Sequence, residues 1–140
     1  MTSELPIVVG FDGSADSRAA VAWAAKEAGS RGARLRVVHA VGLLAHAGLG
    51  GDADGHREVA LAMARDAGLD PGAVEWSVLD GDPFSVLLRA AQPPEEAALL
   101  VVGSRGAGAH GGLTLGSTSL KLAERARVPV TIVPATYGND

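Results

Sequence analysis

The chain has 140 residues, of which 47% are hydrophobic and 20% charged, a balance typical of one folded domain over residues 1–140. Its net charge of −4 offers no basic excess for a nucleic-acid backbone, so we expect no nucleic-acid partner. The absence of cysteine excludes disulfides, thiol catalysis and thiolate metal sites. The N-terminus has neither a basic leader nor a membrane-length apolar run, which predicts a cytoplasmic protein without membrane association.

Short apolar segments alternate with segments that carry helix signals along the whole chain. The apolar segments predict strands at 5–11, 34–41, 73–79, 98–102 and 130–133. The intervening helices are predicted at 15–28, 56–67, 83–92 and 117–127, with a glycine-rich loop at 42–55. This alternation predicts an α/β fold, an open, doubly wound, five-stranded parallel sheet with helices on both faces.

Two helix starts carry the clearest local signals. Ser14 is an expected N-cap, followed by Asp16 in the first turn, where the helix dipole favours an anion. The first helix is expected to close at Gly29 and Gly32. Asp82 followed by Pro83 predicts an N-cap and a proline at the first helical position.

A glycine-rich stretch follows the fourth predicted strand and leads into the last helix. Gly103, Gly106 and Gly116 are expected to permit positive φ and to leave no Cβ between the backbone and a phosphate. The N–H groups at the start of the helix lack intrahelical partners, and Ser117, Thr118 and Arg105 add hydroxyl and guanidinium donors. The stretch therefore predicts an anion-binding loop.

The loop differs from the common nucleotide motifs. It lacks the Lys-Ser/Thr of a P-loop, and no Gly-x-Gly-x-x-Gly follows the first strand. Because ligands of doubly wound sheets bind at the carboxyl ends of strands, the end of the first strand (Gly10, Asp12) is the expected facing wall. Asp12 followed by glycine is also a turn signal, and that reading stays open.

Other polar and aromatic residues have simpler explanations. His39 lies in an apolar strand and is expected to be a hydrogen-bonded core residue, and Trp76 is expected to pack. His110 is a loop histidine that could reach a phosphate. The residues His46, Asp52, Asp54 and His56 cluster without matching a calcium or zinc pattern, so a loop is favoured over a metal site.

Taken together, these motifs resemble the nucleotide-binding type of the universal stress protein family. The matching segments are 8–14, 37–41, 81–83 and the spacing Gly103-x2-Gly106-x9-Gly116-Ser117, which is that family's ATP-binding signature. The resemblance covers about residues 6–134. It implies the strand order 3-2-1-4-5, which places the first and fourth strands side by side.

The resemblance also implies a role for each candidate site residue. Asp12 would contact the ribose or the phosphate–metal region, and Ala40 would meet adenine through its backbone. Gly103, Arg105 and Gly106 would line the ribose and phosphates. The phosphate tail would lie against Gly116, Ser117 and Thr118. The implied ligand is an adenine nucleotide, ATP with or without Mg²⁺.

The resemblance implies a homodimer that pairs the fifth strand (Val130, Thr131, Ile132, Val133) across a two-fold axis. An apolar edge strand of this kind is an association hazard unless it is covered or paired. The favoured function is an ATP-binding regulatory module of the stress response. The alternatives are a slow ATPase or self-phosphorylating enzyme, for which no general base or P-loop lysine is evident, and a nucleotide-free dimeric adapter.

Overall fold

The computed structural model describes residues 5–41, 53–94, 96–105 and 116–138. The strands are β1 (Ile7–Gly10), β2 (Leu35–Val41), β3 (Val74–Asp80), β4 (Leu99–Gly103) and β5 (Val130–Val133). The helices are α1 (Ala15–Arg31), α2 (Ala53–Asp66), α3 (Pro83–Ala91) and α4 (Ser117–Arg125). A short 3₁₀ turn, Pro71–Ala73, leads into β3.

The five strands form one parallel sheet in the order β3-β2-β1-β4-β5, which confirms the predicted fold class and strand order. β1 lies at the centre, with Val9 in register with Val37 of β2 and with Val101 of β4. The chain winds outwards from β1 in both directions. The carboxyl ends of β1 and β4 therefore flank the switch point at which such sheets hold ligands.

Alternate residues of the central strands face two separate cores. Ile7 and Val9 pack with α1 and α2 on one face, whereas Val8 packs with α3 and α4 on the other. The three side chains are fully buried, as the continuous apolar run predicts for a strand covered on both faces. Trp23 is partly buried against the α1 and α2 core.

The first helix begins where predicted and ends later. The Ser14 side chain accepts a hydrogen bond from the Ser17 N–H at 3.1 Å, as an N-cap does. The predicted end at residue 28 is wrong, because Gly29 is an exposed residue within α1. Gly32 ends the helix with a left-handed φ of 66°.

Other element boundaries also differ from the prediction. α2 begins at Ala53, so residues 53–55 are helical and not part of a loop. α4 ends at Arg125 and not at residue 127, because Ala126 has an extended conformation (φ −67°, ψ 147°). β4 extends to Gly103, one residue beyond its predicted end. In the described part of the chain, no helix combines the length and the apolar character needed to cross a membrane.

Candidate nucleotide site

A cavity of about 470 Å³ opens at the carboxyl ends of β1, β2 and β4, against the first turns of α3 and α4. We call it the strand-end cavity. All the predicted site residues within the described ranges line it, namely Gly10, Asp12, Ala40, Gly103, Arg105, Gly116, Ser117 and Thr118. Gly106 lies outside the described residues. The volume falls within the usual range of small-molecule sites.

The β1 wall of the cavity is a hydrogen-bonded turn. Asp12 Oδ1 accepts a hydrogen bond from the Ser14 N–H at 2.9 Å, and the Asp12 N–H donates to the Ser17 hydroxyl at 3.2 Å. Asp12 is therefore a turn residue that also lines the cavity. The turn fixes the position at which its carboxylate group meets the cavity.

The α4 wall presents backbone donors. Gly116 is the N-cap of α4 and has no side chain with which to cap the helix, and the first intrahelical bond runs from the Leu120 N–H to the Gly116 carbonyl at 3.0 Å. The N–H groups of Ser117 and Thr118 therefore precede the helical ladder and lie on the positive end of the helix dipole. Such a helix start suits an anion such as phosphate.

Ser104 holds the start of α4 beside the end of β4. Its carbonyl oxygen accepts hydrogen bonds from the Gly116 N–H at 2.7 Å and from the buried Ser119 hydroxyl at 3.0 Å. The two ends of the glycine-rich stretch, Ser104 and Gly116, are thus joined directly. This link fixes the distance between the β4 wall and the α4 wall.

Asp16 is a structural residue of the site that the sequence analysis missed. Its carboxylate is 6% exposed and accepts hydrogen bonds from the Ser104 hydroxyl and, at 3.1 Å, from the Arg105 N–H. The first turn of α1 therefore anchors the residues that follow β4. The sequence indicated only a favourable position in the helix dipole, because the partners of Asp16 lie almost 90 residues further along the chain.

The positive φ that the sequence predicts is wrong at two of the three glycines. Gly103 does not have a positive φ, and Gly116 has φ −67° and ψ 161°. A Cβ at Gly103 would lie 2.6 Å from the backbone carbonyl carbon of Asp16, so this glycine allows α1 to approach β4. A Cβ at Gly10 would similarly lie 2.7 Å from Leu87 Cδ1 of α3.

His39 is a core residue, as predicted. It is 8% exposed, and its Nδ1–H donates to the Phe11 carbonyl at 2.9 Å. Its ring stacks on Trp76, with centroids 5.8 Å apart and an angle of 19° between the rings. Trp76 therefore packs, as expected.

The metal hypothesis gains no support from the described residues. They contain no group of three or more His, Asp or Glu side chains that would hold an ion. Asp54 and His56 lie on α2, whereas His46, Asp52 and His110 fall outside the described ranges.

The model of the universal stress protein family matches residues 5–134. The chain belongs to this family. A universal stress protein of Mycolicibacterium smegmatis is 35% identical over 138 residues, covering 94% of this chain and 46% of the relative. One of Mycobacterium tuberculosis is 34% identical over 136 residues, covering 92% and 45%. The chain spans about half the length of the curated relatives it matches.

Solved structures of the family share the fold. A crystal structure of a universal stress protein in complex with cAMP is 32% identical, with a TM-score of 0.71 over 94% of this chain and 97% of that chain. A structure from Archaeoglobus fulgidus in complex with dAMP is 25% identical, with a TM-score of 0.71 over 95% and 99%. These neighbours bind adenine nucleotides.

Proposed function

We propose that the strand-end cavity binds an adenine nucleotide, with ATP as the physiological ligand, with or without Mg²⁺. The observation that carries the proposal is the meeting of three walls in one cavity, at Asp12, Ala40 and the start of α4, where the N-cap is a glycine. Similarity to family members in complex with cAMP and dAMP supports the choice of adenine.

The chemistry of the walls suggests an orientation for the nucleotide. The base lies against the apolar β2 wall at Val38 and Ala40, and the ribose lies beside Asp12. The phosphates accept hydrogen bonds from the N–H and hydroxyl groups of Ser117 and Thr118. Arg105 adds a positive charge on the same side, which strengthens hydrogen bonds to a phosphate.

The favoured role is regulatory binding within the stress response, and not rapid phosphoryl transfer. In the ranges that the structure describes, Arg105 is the one cation that lines the cavity, without a lysine or a histidine, and the Asp12 carboxylate already accepts the Ser14 N–H. Efficient phosphoryl transfer needs positioned cations and a group that orients the nucleophile. Steady-state phosphate release at a rate typical of kinases would favour the alternative, an ATPase.

Calorimetric titration with ATP, AMP and cAMP tests the site. Gly116 has a backbone conformation open to valine, so Gly116→Val should keep the fold while narrowing the cavity. We expect a loss of affinity of at least about tenfold, which corresponds to about 1.4 kcal/mol.

The matched control is Gly29→Val, at an exposed position of α1 where a Cβ would lie 3.9 Å from Leu69. This variant should bind ATP like the unmodified chain. Equal affinity in the two variants, with both folded by circular dichroism, would contradict the site. Mass spectrometry of any small molecule released on denaturation would identify the ligand that accompanies the purified protein.

We also propose that the chain forms a homodimer by pairing β5 across a two-fold axis. β5 is the last strand in the sheet order, and its residues Val130, Thr131 and Ile132 are partly exposed. Unpaired strand edges favour association with a second copy. Val133 is buried, so its side chain packs in the core and is not available to a partner subunit.

Thr131→Lys tests the dimer by sedimentation. Ile132 packs against the α3 and α4 core, whereas Thr131 points to the other face of β5 and is partly exposed, so a lysine at Thr131 places charge at the edge of the sheet. We expect the monomer mass for this variant and the dimer mass for the control Val59→Lys, at a 40% exposed position of α2. A dimer of Thr131→Lys would contradict the proposed interface.

A further inference from the structure

A second cavity, of about 340 Å³, lies at the edge of the sheet opposite to β5, between α2 and the edge strand β3. We call it the edge groove. One wall is a stripe of α2 at i, i+4 and i+8, formed by Arg57, Leu61 and Arg65. The base is apolar and includes Leu69, Val74 and Trp76. Among the residues that the structure describes, the linings of the edge groove and the strand-end cavity share no member.

The charge of the edge groove is opposite to that of the whole chain. The net charge is −4, yet the titratable side chains that line the groove within the described ranges are both arginines. Arg57 lies 4.0 Å from Glu58, and both side chains are at least half exposed, so this ion pair is weak. Arg65 forms no ion pair with any residue that the structure describes. The groove therefore selects for a negative charge.

Trp76 gives the groove a fixed apolar base. One face of its ring is stacked on His39, and Phe11 meets it edge-on with centroids 6.4 Å apart. His39 is itself held by the Phe11 carbonyl. A ring supported in this way binds an apolar group without first losing its own rotational freedom.

The two arginines stand about 12 Å apart along α2, from the 1.5 Å rise per residue of a helix. Their side chains are long enough to converge over the groove from its two ends. A guanidinium group binds a carboxylate through two parallel hydrogen bonds, which gives direction as well as affinity. The volume lies at the lower end of the range for small-molecule sites.

We propose that the edge groove binds a small amphipathic carboxylate, with its hydrocarbon body on Trp76 and Leu61 and its carboxylate between Arg57 and Arg65. The proposal is independent of nucleotide binding, because it rests on residues of a different cavity. The competing explanation is that the arginine stems only cover apolar surface while their charged ends stay in water. A ligand titration distinguishes between these two explanations.

Fluorescence of Trp76 reports occupancy directly. The chain has two tryptophans, so Trp23→Phe leaves Trp76 as the sole tryptophan. Titration of this variant with decanoate should change the emission and reach saturation. Decanol, which has the same chain length without the charge, should bind at least about tenfold more weakly. An unsaturable response, or equal affinity for decanol, would overturn the proposal.

Substitution of the arginines gives the second arm. Arg57→Gln combined with Arg65→Gln should weaken decanoate binding at least about tenfold, whereas Arg31→Gln, at the far end of α1, should leave it unchanged. Unchanged affinity in the double variant would overturn the proposal. Displacement of decanoate by saturating ATP would also overturn it, because it would place decanoate in the strand-end cavity.

If Trp23→Phe does not fold, the indole N–H resonance of Trp76 in the unmodified chain gives the same readout. Decanoate should shift this resonance and leave that of Trp23 in place. A shift of the Trp23 resonance alone would overturn the proposal. Failure of ATP to bind anywhere would contradict the proposed nucleotide-binding function, but it would not affect the proposal that the edge groove binds a carboxylate.

Discussion

The strand-end cavity and the edge groove are built from different parts of the chain. Glycines and small side chains make up much of the former, where Gly103 closely approaches the first turn of α1. Long side chains of α2 and one tryptophan form much of the latter. Where backbone packs against backbone, as at Gly103, there is no room for an added atom, whereas a wall of exposed side chains can be changed without moving the fold. Substitution of Gly103 should therefore reduce stability strongly, and substitution of the residues that form the edge groove should reduce it weakly.

The largest effect is expected for Gly103→Ala. A Cβ there would lie 2.6 Å from the Asp16 carbonyl carbon, so α1 or β4 must shift, at a cost of about 3 kcal/mol. Urea denaturation followed by circular dichroism measures the loss. The same change at the exposed Gly29, inside α1, should stabilise the chain by about 0.5 kcal/mol. Equal urea midpoints for Gly103→Ala and Gly29→Ala would mean that β4 tolerates a side chain at position 103.

Asp16→Ala should have the next largest effect. It removes a buried acceptor and leaves the Ser104 hydroxyl and the Arg105 N–H without this partner, at a cost of about 2 kcal/mol in unfolding free energy. ATP affinity should fall as well, since Arg105 lines the strand-end cavity.

The matched control for this variant is Asp70→Ala. Asp70 is exposed and stands before the 3₁₀ turn without a side-chain capping bond, so its loss should change stability by less than about 0.5 kcal/mol. If Asp16→Ala were equally mild, the contact between α1 and the residues after β4 would contribute little to the site.

Local signals explain why much of the fold could be predicted from the sequence. The unbroken apolar run of β1 predicts a strand buried on both faces, and Ser14 and Asp82 are N-caps because their side chains accept local N–H groups. These signals depend on neighbours within a few residues. The alternation of strands and helices then determines the sheet class, and the glycine and hydroxyl residues at strand ends point to the strand-end cavity.

Contacts between distant segments explain what could not be predicted. Nothing beside Asp16 in the sequence indicates that Ser104 and Arg105 will lie against it. The structural role of Gly103 could not be predicted for the same reason. Its lack of a Cβ makes room for α1, a helix that begins almost 90 residues earlier in the chain. The edge groove likewise requires α2 to lie over the edge strand β3, which no local motif records.

The smallest effect on stability should come from substitution of Asp82, the exposed N-cap of α3. Pro83, the first residue of α3, lines the strand-end cavity. The Ser85 N–H donates to its carboxylate at 3.0 Å and lowers the pKa of Asp82 below 3.8. A pKa that is lower in the folded state than in the unfolded state stabilises the native chain at pH values above the unfolded-state pKa. This contribution is lost as the pH falls through the folded-state pKa.

Asp82→Asn keeps a capping oxygen that does not titrate. Thermal unfolding should therefore show the aspartate chain losing stability relative to the asparagine variant as the pH falls through the lowered pKa of Asp82, with a constant difference near neutrality. Asp82→Ala, which removes the cap, should be less stable than Asp82→Asn at every pH. A pH-independent difference between the aspartate and asparagine chains would show that the Ser85 hydrogen bond contributes nothing measurable. The wall at Pro83 would then depend on the apolar packing of α3 alone.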